Sequence, residues 1–134
     1  MSSEDIYFAK QKGLMNSFVV EYIFSRNVYK RCKGFQSFDL AWNSDIATWM
    51  KFGRDNGIKT VVGSSISWRS SGENITTKVD KTLGNRKFRA DMQFLKWVDT
   101  TFSDGEIRRF NMILRFKLII IKYFGPLVRF VVSK

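Results

Sequence analysis

From Arg109 onward the chain alternates between apolar and polar side chains. The even positions read Phe110, Met112, Leu114, Phe116, Leu118 and Ile120, while the odd positions include Arg109, Asn111, Arg115 and Lys117. A period of two sends successive side chains to opposite faces of a strand, so this register predicts one apolar face and one cationic face. Residues 88–94 repeat the pattern, with Phe88, Ala90, Met92 and Phe94 apolar. A third run, Val128–Val132, follows Gly125-Pro126, which reads as a turn. A helix is the rival over 106–124, because Phe110, Leu114, Leu118 and Ile121 also share one side of a 3.6-residue period. Residues 86–98 carry the same ambiguity. Isoleucine-rich composition and the placement of the charges favour strand.

The N-terminal third reads differently. Leu14, Met15, Phe18, Val19, Tyr22 and Ile23 recur at spacings of three and four, as do Phe38, Trp42, Ile46, Trp49 and Met50. Ser37 and Asp39 suit the start of a helix over about 38–54, and Asn56-Gly57 suits its end. After Gly57 the short run Ile58–Val62, then Ile66, Trp68, Ile75, Thr77 and Val79 around Ser71-Gly72-Glu73, suggest a hairpin. The expected fold is α+β: two N-terminal helices packed on a C-terminal antiparallel β-meander. It forms a single basic domain over 1–134, helical in 3–55 and mainly β in 58–133.

Several chemistries are excluded by what the chain lacks. It has no histidine, which removes Ser-His-Asp and Cys-His nucleophile systems and nearly every catalytic zinc site. Cys32 is the only cysteine, so neither an intrachain disulfide nor a thiolate cluster can form. There is no phosphate-loop or Gly-x-Gly-x-x-Gly pattern. Asp91, Asp99, Asp104 and Glu106 lie near one another in sequence, but Asp104 sits in a turn and Asp91 balances local cations. A metal-dependent nuclease centre is therefore not expected, nor is any cofactor, and the chain reads as a non-enzyme. The start, MSSEDIYFAKQKG, carries acids early and has no apolar stretch, so it does not read as a secretory signal. Leu118–Ile121 is flanked by Lys117 and Lys122, which leaves no run long enough to span a bilayer. An intracellular protein, in cytoplasm or nucleus, or a virion component, is expected.

Charge points to a partner. The chain carries a net charge of +11 and a pI near 10.0. Residues 68–134 hold fourteen Lys/Arg against six Asp/Glu, whereas the first half is nearly balanced. These cations are interleaved with apolar residues, as on a folded surface and not a tail. On the expected meander, Lys87, Arg89, Arg109, Arg115, Lys117 and Arg129 share one face, with Asp91 among them. A polyanion would relieve their repulsion and release counterions. Arg69, in the loop Arg69–Asn74, could grip a phosphate, and Trp97 and Tyr123 could stack on bases. A second cluster, Arg26, Lys30, Arg31 and Lys33, suits a helix C-terminus. The leading expectation is a protein that binds RNA or single-stranded DNA through phosphates, with low sequence specificity. The alternative is a self-assembling structural protein of matrix or coat type, with strands Arg109–Tyr123 and Leu127–Ser133 pairing at their edges. Its basic and apolar face would meet further copies, a genome or an anionic membrane surface. In that reading Ile113, Ile119, Ile121 and Val131 are outer apolar positions.

Overall fold

The structure is a computed structural model that describes residues 1–67, 81–102 and 104–132, with side chains as far as 124. The described residues form five α-helices and no strand. These are α1 (Ser3–Gln11), α2 (Arg26–Arg31), α3 (Ser44–Phe52), α4 (Lys81–Thr101) and α5 (Gly105–Val132). Short 3₁₀ turns lie at Val19–Glu21 and Asp39–Ala41. The expected α+β architecture is thus overturned: 86–98 and 106–124 are helical, and so are 127–132, which were expected as an edge strand. Gly125 and Pro126, expected as a turn, lie within α5, where Pro126 has no N–H to offer the Lys122 carbonyl. Residues 58–67 form no strand, and the rest of the expected hairpin, 68–80, lies outside the described residues.

The alternation in α5 has a helical explanation. Two residues advance a helix by ~200°, so consecutive even positions land on opposite sides. Phe110, Leu114 and Leu118 form one stripe, packed against the core. Met112, Phe116 and Ile120 form another, turned to solvent. A helix apolar both inside and outside therefore imitates a strand. In α4 the buried residues are Ala90, Phe94, Leu95 and Val98, which is helical spacing.

Local chemistry sets the helix starts. Ser2 caps α1, its Oγ accepting the Asp5 N–H at 3.0 Å while the Asp5 carboxylate accepts the Ser2 N–H at 2.9 Å. Asp104 caps α5, its Oδ1 accepting the N–H groups of Glu106 and Ile107 at 2.8 and 3.0 Å. The expected helix over 38–54 is shorter, because Leu40, Ala41 and Asn43 take left-handed backbone conformations with φ of 60°, 53° and 61°. The expected stripe from Leu14 to Ile23 is not helical beyond the Val19–Glu21 turn. Its Tyr22 serves a different cluster, stacked on Trp49 at 4.3 Å, beside Phe24, which packs on Phe52.

One core joins α1, α3, α4 and α5. Ile6 and Tyr7 meet Ile46, Ala47 and Met50, and these meet Phe94, Leu95, Val98, Phe102 and Ile107. A polar network crosses this core. The Tyr7 hydroxyl donates to Asn111 Oδ1, and Asn111 Nδ2 donates to the Leu95 carbonyl at 3.3 Å and to Asp99. Arg115 donates to the other Asp99 oxygen at 2.6 Å. Burial, and then the Asp99 charge, push the Tyr7 hydroxyl above the ordinary tyrosine range, so it remains a donor.

Asn111→Leu would strand the Tyr7 hydroxyl and one Asp99 oxygen. We expect a loss of about 2–4 kcal/mol in urea unfolding. Met112→Ser, one residue along on the solvent side, should change stability by less than about 0.5 kcal/mol. An unshifted midpoint for Asn111→Leu would show that the network does not hold α5.

Candidate docking surface

The cations expected on one sheet face are placed by two helices instead. Lys87 lies inward on α4, its Nζ 4.7 Å from the centre of the Trp42 ring. Arg89 is exposed on α4, while Arg109 and Lys117 are exposed on α5. Arg115 is bound to Asp99 and so is a structural cation of the α4–α5 seam. Arg129 belongs to α5, but its side chain lies outside the described ones, and Arg69 lies outside the described residues altogether. Trp97 is half-buried among Phe38, Phe94 and Phe102, where a base could not reach both its faces. Tyr123 is 62% exposed on α5. The common pleated face does not exist, because a 3.6-residue period spreads these side chains around two helix axes.

Asp91 is not a surface counter-charge. Its Oδ1 accepts the Trp42 indole N–H at 2.9 Å and the Asn43 amide at 2.8 Å, tying α4 to the turn before α3. Burial raises its pKa, against those two hydrogen bonds and the Lys87 charge. Asp39, in the same turn, holds Arg86 through both oxygens, which lowers its own pKa.

The structure does assemble the outer face of α5. At ~100° per residue, Met112, Ile113, Phe116, Ile119, Ile120, Tyr123 and Phe124 fall within an arc of roughly 140°. All are exposed; Phe116 keeps 67% of its surface in water and Ile113 57%. Exposed Arg108 and Lys117 flank the arc, and Arg109 stands at its N-terminal end. From Ile107 to the last residue the sequence contains no Asp or Glu. A contiguous apolar stripe of this kind is unusual on a lone domain. The strand reading found some of these residues, Ile113 and Ile119, but dispersed them. The missed signal was apolar residues filling both sides of a helical projection.

A second aromatic assembly, Tyr22, Phe24, Tyr29, Phe35, Trp49 and Phe52, lies on the other side of α3 from the main core. A cleft of about 280 Å³ opens beside it, lined also by Ile23, Ile58 and Lys59. Among the described residues the buried Trp49 indole N–H finds no acceptor. Among the described residues no three His, Cys, Asp or Glu side chains gather to hold a metal ion, and no helix is long and apolar enough to cross a membrane. Comparison with known protein families, with curated proteins and with solved structures finds no match.

A raised carboxyl pKa stabilises the fold only while the group is protonated. The contribution of Asp91 is whole below the ordinary aspartate range and is lost as pH rises through the raised folded value. Asp91→Asn keeps an Oδ1 acceptor for both donors and removes the desolvated charge. We expect the variant to match or exceed the parent in stability at pH 7, with the difference closing at acid pH, read by denaturant unfolding at both. A parent clearly more stable at pH 7 would mean that the Lys87 attraction outweighs burial.

Proposed function

We propose that this chain is a non-enzymatic docking protein whose working element is α5. The observation that carries this is the outer arc of α5, uncovered among the described residues, on a helix whose inner face already packs against the core. Helices that are apolar all round are stable when both sides are covered. Here the fold covers one side, through Phe110, Leu114 and Leu118. Fully burying one such side chain is worth roughly 1.5–3 kcal/mol, so covering seven half-exposed ones offers on the order of 5–10 kcal/mol before the costs of association.

Phosphate binding to RNA or single-stranded DNA is the second reading. The net charge of +11 and exposed Arg89, Arg109 and Lys117 favour it. It leaves the apolar arc in water, however, and two of its expected cations, Lys87 and Arg115, are committed to Trp42 and Asp99. The docking reading uses both the arc and the charge. Neither reading includes a catalytic step.

Phe116→Ser with Ile120→Ser changes only the outer arc. The far-ultraviolet circular dichroism should be unchanged and the melting temperature should move by only a few degrees. Binding of an environment-sensitive apolar dye should fall several-fold. Undiminished dye binding with the fold intact would remove the arc as the docking surface.

A further inference from the structure

We infer that the surface α5 docks on is an anionic lipid bilayer, with the helix lying in the plane of the interface. This rests on the reading of α5 as the docking element and names its occupant. Three observations select it. First, the apolar arc runs from Met112 to Phe124, twelve steps or about 18 Å of helix, which suits lying along an interface. No described helix is long and apolar enough to cross a membrane. Second, beyond Glu106 in its first turn the charges of α5 have one sign. Arg108, Arg109, Arg115, Lys117 and Lys122 lie between Ile107 and Phe124 with no acid among them. Exposed Arg108, Arg109 and Lys117 stand beside the arc, where long side chains can keep their charge at the headgroups while apolar neighbours sink. Third, Tyr123 is exposed on the same arc, and an amphipathic ring suits headgroup depth.

Other occupants satisfy fewer of these features. A second copy would cover the arc but would set one cation-flanked helix against another, on chains already at +11 each. Nucleic acid would neutralise the cations and leave Phe116 and Ile120 wet. A bilayer containing acidic phospholipid answers both the arc and the charge, each cation near its surface contributing about a factor of five in partitioning.

The test uses the full chain with Cys32→Ser and Phe116→Cys, labelled at residue 116 with a fluorophore that shifts to the blue in apolar surroundings. It is titrated with vesicles of phosphatidylcholine and phosphatidylserine, with phosphatidylcholine vesicles, and with a single-stranded RNA, and is diluted alone as a control. A blue shift with the serine-containing vesicles, weak with phosphatidylcholine alone and reduced by high salt, is expected. Arg108→Gln, Arg109→Gln and Lys117→Gln together should raise the lipid concentration needed on the order of 100-fold. A label at Arg89→Cys, on α4, should stay in water throughout. Equal response to both vesicle types overturns the anionic assignment. A shift with RNA alone, or on raising the protein concentration alone, overturns the bilayer and leaves α5 as the docking element. No shift under any condition overturns both.

Discussion

The seating of α5 decides the surface of this molecule. Ile107, Phe110, Asn111, Leu114 and Leu118 turn toward α1 and α4, and the buried Asn111 amide is bound on both its oxygen and its nitrogen. Turning the helix by one residue would leave the Tyr7 hydroxyl and Asp99 without these partners and would carry Met112 or Arg108 toward the core. A desolvated polar group without a partner costs about 1–3 kcal/mol, so the network selects one rotational setting. With the inner face set, Met112, Phe116, Ile120 and Tyr123 have nowhere to face but outward. The exposed arc follows from the satisfied interior.

The same seam explains why charge and site do not coincide. Arg115 looks in sequence like one cation of a basic row, yet it completes the Asp99 ion pair. Lys87 covers Trp42 beside a carboxylate buried at the turn before α3. These cations spend their charge inside the molecule. Arg108, Arg109 and Lys117 remain exposed on the outer helix beside the apolar arc, and Glu106 in the first turn is the one acid in the sequence of α5. A surface both greasy and positive is poorly matched to water, to a copy of itself and to a phosphate backbone alone. It is well matched to an interface that is apolar below and negative above.

Much of this was legible in the residues, though not in the form first read. The charge excess of the C-terminal half and the shortage of catalytic groups come straight from composition. The region of α3 shows in the spacing of Ile46, Trp49 and Met50, and its true start was hidden because left-handed Leu40, Ala41 and Asn43 leave no mark in hydrophobicity. Tyr22 falls in the apparent helical stripe from Leu14 to Ile23 while stacking on Trp49, a long-range contact that no local period reveals. The strand reading failed for a physical reason: two stripes on opposite sides of one helix interleave into apparent alternation. The corrective was present at Asp104-Gly105-Glu106, an acidic helix start that reads equally as a turn.

The most direct test of the account is the period of solvent access along α5. Single cysteines placed from Phe110 to Ile120 in a Cys32→Ser chain, each timed against a water-soluble maleimide, would report it. Slow labelling is expected at 111, 114 and 118 and fast labelling at 112, 113, 116 and 120, a rhythm of three to four residues. Labelling that alternated at every second residue, or that was equally fast at 114 and 116, would contradict it.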